Sequence, residues 1–259
     1  MGSSPAPSGR EPTFRDLFSE HAPDYATYRP RYPTALFTWL AGQVGRHELA
    51  WDAGAGTGQA SIALAAHFRR VIATDASAAQ IQEAARHPNV EYRVARAESS
   101  GLPSGAADLV LAAQALHWFD VDAFFAEARR VAVPEGVVAV CSYGRLSIGD
   151  RGLDRALDRF YDDVVGPWWP PERRLVENGY ATLSFPFSEL APPSFEMREH
   201  WTLRELLGYV GTWSATARLR AATGADPLRA LEAEITPLWG SAERRDVRWP
   251  LAVRAGRCT

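Results

Sequence analysis

The sequence predicts an α/β fold in which a mostly parallel sheet carries helices on both faces. Three observations support this. Strand-like and helix-like segments alternate from residue 48 to 143. The strand-like segments are apolar runs without period-two alternation, as expected of strands covered on both sides. A glycine-rich stretch, WDAGAGTGQ (51–59), joins the first of these runs to the helix after it.

Each element follows from local signals. The small, proline-rich opening is expected to be a disordered tail over residues 1–13. PTALFTWLAGQVG (33–45) has helical spacing of Leu36, Trp39, Leu40 and Val44, with proline at its start and glycine at its end. ELAWDAG (48–54) is the first strand and QASIALAAHF (59–68) the first helix of the alternating region. RVIATD (70–75) is the second strand, and Ser77 caps a helix over AAQIQEAARH. Further strands are VEYRVA (90–95), ADLVLAA (107–113) and GVVAVCSY (136–143). A helix over 121–132, ended by the turn PEG, separates the last two. Beyond residue 193, FEMREHWTL (195–203) and VRWPLAVRAG (247–256) read as antiparallel strands around helices at about 203–222 and 227–238.

Composition sets the bounds. The 259 residues suit one large domain, or a core with an insertion. Hydrophobic residues are 46% and charged residues 23%, a globular balance. A net charge of −3 without a long basic run speaks against a nucleic-acid partner. No apolar stretch is long enough to span a bilayer, and the first residues lack a signal pattern. Cys141 and Cys258 suit a reduced chain rather than a disulfide framework, so a cytoplasmic protein is expected. No metal site is expected.

In a parallel sheet of this kind, ligands sit beyond the carboxyl ends of the strands, near the switch in strand order. Those ends carry Asp52, Asp75, Ala97, Glu98, Gln114 and Tyr143. The glycine turn narrows the ligand. A phosphate-binding loop needs Lys-Ser or Lys-Thr after its last glycine, but Gly58 is followed by Gln59 and Ala60. The dinucleotide fingerprint needs a third glycine three residues after the second, whereas here the spacing is Gly54, Gly56, Gly58. Asp52, just before the turn, suits a positive group better than a pyrophosphate. Asp75 ends the second strand, where a ribose diol is held. A nucleoside that carries a cation and no phosphate satisfies all of these, and S-adenosylmethionine is such a molecule.

WDAGAGTGQ, IATDAS, RAESSGLP and LAAQALHWFD, in this order, resemble the sequential motifs of class I S-adenosylmethionine-dependent methyltransferases, most closely the type 11 domain. FSEHAPDYATYRPRYP (18–33), GYVGTWSATAR and VRWPLAVRAGR look like a subgroup related to the fungal trans-aconitate methyltransferases. Ala55 stands where relatives often carry cysteine; it is small enough to leave the backbone approach intact. The resemblance implies a Rossmann-like, doubly wound, seven-stranded sheet with antiparallel C-terminal strands. It implies an N-terminal lid (14–33), a cofactor-binding core (34–143), a lid or insertion (144–192) and a segment that completes the sheet (193–259). It also implies S-adenosylmethionine as cofactor, S-adenosylhomocysteine as product, a small-molecule acceptor, expected to be a small carboxylic acid or a hydrophobic metabolite methylated on oxygen, and a monomer or weak dimer.

By this resemblance Gly54, Gly56 and Gly58 let the backbone pass the methionine part, with Asp52 near its ammonium. Asp75 takes both ribose hydroxyls, Ala76 and Ile81 flank the adenine, and Ala97 and Glu98 lie at its edge. Gln114 faces the sulfonium. His117 follows the fourth strand, where the methyl group emerges. It is a candidate general base for a hydroxyl or amine acceptor, or a hydrogen-bonding group where the acceptor is a carboxylate, which needs no base. Trp118 is a pocket or core residue. Tyr25 and Tyr28 are expected to face the sulfonium, and Arg29 and Arg31 to grip an acidic acceptor. Tyr143, Trp168 and Trp169 are expected to form pocket wall or lid. The rival readings are a nicotinamide-dependent oxidoreductase and a non-catalytic cofactor-binding protein.

Overall fold

The computed structural model of the protein describes residues 28–259. The expected tail over 1–13 and most of the segment 14–33, Tyr25 included, lie outside the described residues.

The alternating region builds the sheet as expected. Strands β1 (Leu49–Ala53), β2 (Arg70–Asp75), β3 (Val90–Val94), β4 (Ala107–Ala113) and β5 (Ala132–Tyr143) pair in parallel in the spatial order 3-2-1-4-5. The C-terminal strand β8 (Arg245–Arg257) adds antiparallel beside β5. Its outer edge pairs antiparallel with β6 (Ser188–Glu189) and β7 (Phe195–Trp201). The sheet therefore has eight strands where seven were expected, because its last position is split in two. Pro192 and Pro193 lie in the gap, and proline withholds the N–H that a continuous ladder needs.

The strands lack polar alternation because both faces are buried. Ala50, Leu109, Leu111, Val137 and Ala139 point into one apolar layer. That layer is shared with α1 (Thr34–Gly42) and α2 (Gln59–Leu64). Their neighbours Trp51, Val110, Ala112 and Val138 point into the other, against α4 (Val121–Val131). Trp51 is fully buried, and its indole N–H donates to Thr74 Oγ1 at 2.9 Å. Both cysteines are free and buried. No described helix is long and apolar enough to cross a membrane.

The helices are shorter than their sequence patterns. α2 stops at Leu64 rather than residue 68, and α3 (Ala78–Gln82) spans half of the expected 78–87. Ser77 does cap α3, accepting from Gln80 N–H at 3.3 Å. The turn expected at PEG is instead a bulge inside β5: Glu135 has φ +63°, and the β4–β5 register shifts there. After β5 come α5 (Arg151–Arg159), a π-helical turn (Phe160–Val164), a short 3₁₀ turn (Gly166–Trp168) and α6 (Arg173–Glu177). The helix expected at about 203–222 is two helices, α7 (Leu203–Gly211) and α8 (Ser214–Thr223), followed by α9 (Leu228–Trp239). The strand order switches between β1 and β4, which places the candidate site at the carboxyl ends of those strands.

Candidate active site

The turn after β1 is fastened to the end of β2. Gly54 and Ala55 donate their N–H groups to Thr74 O at 2.8 and 3.0 Å. Gly56 N–H donates to Asp75 Oδ2 at 2.8 Å, and Ser77 N–H to Oδ1 at 2.8 Å. All three glycines have positive φ: +71° at Gly54, +55° at Gly56 and +87° at Gly58. They serve different needs, however. A Cβ at Gly54 would lie 2.6 Å from Ala115 Cβ and 2.8 Å from the Phe119 ring. One at Gly58 would overlap the Tyr92 hydroxyl. Only at Gly56 is there space, with Gln80 Oε1 the nearest atom at 3.6 Å. Two of the glycines are thus required by the protein's own packing, and the middle one leaves the backbone open. Gly54→Ala is expected to destabilise the fold by about 2–4 kcal/mol through left-handed strain and overpacking. Denaturant midpoints check this.

Two buried side chains next to this turn carry unpartnered polar atoms. Asp52 is fully buried; Ser61 Oγ donates to its Oδ2 at 2.5 Å, while Oδ1 has no partner. Gln80, 4% exposed, has neither amide atom paired. A buried polar atom left without a partner costs about 1–3 kcal/mol, so both are candidates to meet a ligand. Sequence reading missed Gln80, because a glutamine early in a helix reads as solvated.

Burial pushes the Asp52 carboxyl up from 3.8 to about 7, and the nearby Asp75 charge adds to the shift. Between these values the folded protein holds a proton that the unfolded chain has lost. Stability is therefore expected to fall as the pH rises through that window. The stability advantage of Asp52→Asn over the parent is expected to grow by about 2–3 kcal/mol between pH 5 and pH 8. Unfolding of the ligand-free protein at both pH values checks this.

The expected adenine-side residues lie along this rim. Ala76 is partly exposed, while Ile81 and Ala97 are buried. Glu98 is neither a solvated loop acid nor open to a ligand at both oxygens. It accepts the Asp120 N–H at 2.9 Å, at the start of α4, and pairs with Arg96 at 3.2 Å.

Beyond β4 and β5 the chain builds a partly open cavity lined by Arg29, Gln114, His117, Trp118, Trp169 and Arg173, among others. Gln114, at a φ of +55°, straps the two strand ends together: Tyr143 N–H donates to its Oε1 at 2.9 Å, and its Nε2 donates to Tyr143 O at 3.4 Å. His117 lies beside it, with Nδ1 2.9 Å from the Tyr180 hydroxyl and its ring 4.6 Å from that of Trp118. Burial, Arg173 and Arg29 together push the imidazole down to about 3, so it is neutral at ordinary pH. Trp118 is a wall residue and not core, at 36% exposure. Trp169 lines the cavity, 5.7 Å from Trp213, with its indole N–H donating to Tyr161 O. Its neighbour Trp168 does not line the cavity; both indoles pack against the core, and Arg218 donates to the Trp168 carbonyl.

The arginines are distributed differently from expectation. Arg29 lines the cavity, donating to the Tyr143 hydroxyl at 3.0 Å and to Thr212 O at 3.3 Å. Tyr143 thus holds Arg29 and is not itself a lining residue. Arg31 is exposed and not in the cavity; its backbone N–H is held by Glu199 of β7. Tyr28 packs on Gly208 of α7, outside the cavity. The second cation is Arg173, which sequence reading did not single out. Its Nε donates to the Tyr161 hydroxyl at 2.6 Å, and that hydroxyl donates to Glu177 at 2.6 Å. Its guanidinium also lies 4.7 Å from the Trp169 ring centre. No aspartate or glutamate lines the cavity among the described residues.

Comparison with known proteins identifies the family. The family described as "Methyltransferase domain" matches residues 51–140. A Dictyostelium discoideum protein named as a methyltransferase is 30% identical over 256 residues, covering 96% of this chain and 97% of its own. A solved structure from Anaeromyxobacter dehalogenans, described as a type II methyltransferase, is 50% identical with a TM-score of 0.83. It covers 89% of this chain and 98% of its own. A methyltransferase structure from Anabaena variabilis, 19% identical with a TM-score of 0.52 over 85% of this chain and 98% of its own, shares the fold.

Proposed function

Because the chain belongs to the class I S-adenosylmethionine-dependent methyltransferases, we propose that it methylates a carboxylate oxygen of a small acid. One observation carries this reading: two arginines, Arg29 and Arg173, face a cavity lined by no acidic side chain among the described residues. Guanidinium groups match carboxylates in shape and charge. Walls of Trp118, Trp169, Trp213 and Tyr209 suit an acid with a flat or apolar body. The likeness of 18–33, 208–218 and 247–257 to trans-aconitate methyltransferases points the same way.

S-adenosylmethionine, when bound, supplies a methyl group made electrophilic by a sulfonium, and leaves as S-adenosylhomocysteine. The residues around the glycine turn fit such a group. Asp52 Oδ1, buried without a partner, would take the ammonium. Asp75 would take the ribose hydroxyls on the acceptor capacity that its two backbone N–H bonds leave. Gly56 and Gln80 border the open space at the turn, Ala76, Ile81 and Ala97 would line the adenine side, and Gln114 would face the sulfonium.

In the acceptor cavity the protein has little proton chemistry to perform. A carboxylate is already deprotonated near neutral pH, so its oxygen is a nucleophile without help. Arg29 and Arg173 would bind and orient the anion, and the aromatic walls would exclude water. The reaction is then accelerated mainly by alignment. This agrees with a histidine that is neutral and too weakly basic to serve as a general base near pH 7. Turnover of matched pairs, each a carboxylic acid and its primary alcohol, tests the reading. The acids are expected to be methylated and the alcohols left untouched; preferential methylation of the alcohols would contradict it.

A further inference from the structure

We propose that Tyr180 is a positioning residue for the transfer: its hydroxyl donates to Nδ1 of His117, fixing the ring proton on Nε2 and making His117 a neutral donor to the acceptor's oxygen. The use made of that donor rests on the acidic-acceptor reading; the tautomer itself does not.

The geometry leaves one arrangement of protons. Tyr180 is 1% exposed, and its hydroxyl lies 2.9 Å from His117 Nδ1. A buried phenolic proton needs an acceptor. Among the described residues Nδ1 is the acceptor within hydrogen-bond reach. The reverse arrangement, with Nδ1–H donating to the phenol, would leave that proton without a partner. A neutral imidazole carries one N–H, so an acceptor at Nδ1 places the proton at Nε2. Burial also pushes the phenol's pKa up, which keeps the hydroxyl protonated at working pH.

The surroundings reinforce the neutral form. Among the described residues, the charged groups acting on the imidazole are Arg173 of α6 and Arg29, from the segment before α1. Tyr209 of α7 and Cys141 of β5 hold their protons, with both groups pushed up to about 12. A protonated imidazole would place a third cation next to two arginines, with no carboxylate in the cavity wall among the described residues. A neutral Nε2–H adds a donor without adding charge.

The backbone holds Tyr180 in place at some cost. Its φ of +61° is left-handed, unusual for a bulky residue. Two bonds secure it. Its N–H donates to Leu175 O at 2.9 Å, and Arg254 of β8 donates to its carbonyl at 2.9 Å. The tyrosine is thus anchored both to α6 and to the sheet, and its ring lies within 26° of parallel to that of His117.

Long-range ¹H–¹⁵N spectra of the histidine rings, assigned with His117→Gln, test the proposal without an acceptor. In the parent, His117 is expected to be a single neutral Nε2–H tautomer with no titration between pH 5 and 8. In Tyr180→Phe the preference is expected to be lost, giving a mixture of tautomers. With an acidic acceptor, Tyr180→Phe is expected to lower kcat/KM about 3- to 12-fold without adding a pH dependence. A parent ring protonated on Nδ1, or one that titrates near pH 6.5, would overturn the proposal, and the parent spectrum decides this even if the variant fails to fold. If the tautomer is Nε2–H but acids are not methylated, Tyr180's control of His117 stands and the acceptor reading falls.

Discussion

Arg173→Ala is expected to raise KM for an acidic acceptor about 10- to 150-fold, the loss of about 1.5–3 kcal/mol in a charged hydrogen bond. Cofactor affinity should be unchanged, because Arg173 lies in the proposed acceptor cavity and the glycine turn is built by other residues. Arg173→Lys should recover only part of the loss, since an ammonium keeps the charge but not the fork. The Tyr161 hydroxyl offers a control. It accepts from Arg173 Nε and donates to Glu177, so Tyr161→Phe should loosen the guanidinium without removing it. Its effect should be smaller than that of Arg173→Ala. Steady-state kinetics with one acid and all three variants check the order. An unchanged KM in Arg173→Ala would remove this arginine from acceptor binding.

Asp75→Ala is expected to weaken S-adenosylhomocysteine binding by about 1.5–3 kcal/mol. The structure adds a second consequence. Both carboxylate oxygens accept backbone N–H groups, from Gly56 and Ser77, so the same change releases the turn that faces the ligand. A lower melting temperature should accompany the weaker binding. Asp75→Asn separates the two effects only in part, because its amide nitrogen would meet one of those N–H donors. Calorimetry with the parent and both variants, alongside thermal unfolding, checks this. Full cofactor affinity in Asp75→Ala would contradict the ribose assignment.

The framework of the site was legible in the sequence, and the acceptor cavity only partly. β2 and β4 match their predicted bounds, RVIATD (70–75) and ADLVLAA (107–113), because a strand buried on both faces must be a continuous apolar run with polar ends. The same rule placed Asp52, Asp75 and Gln114 at the carboxyl ends of strands, with His117 following the fourth. Helix ends were overestimated because apolar spacing continues past the last helical turn. Phe68 is buried although α2 has already ended at Leu64. The cavity depends on contacts between distant segments, which local pattern does not encode. Arg173 and Tyr180 come from a five-residue helix and the turn after it, and Tyr180 reaches His117, 63 residues earlier in the chain. Arg29 and Arg31 look equivalent in YRPRYP, yet Glu199 holds the backbone at Arg31 and leaves its side chain outside. Trp168 and Trp169 both pack against the core, and of the two Trp169 also lines the cavity.

The most direct measurement identifies the bond that forms. The protein would be incubated with methyl-labelled S-adenosylmethionine and a mixture of small carboxylic acids, alcohols and amines. Labelled products would be separated by mass spectrometry before and after mild alkaline hydrolysis. The expected result is a labelled methyl ester of an acid, which alkali cleaves to the acid and labelled methanol. Label in an alkali-stable ether or methylamine, with no ester formed, would contradict the reading of Arg29 and Arg173 as the carboxylate-binding pair.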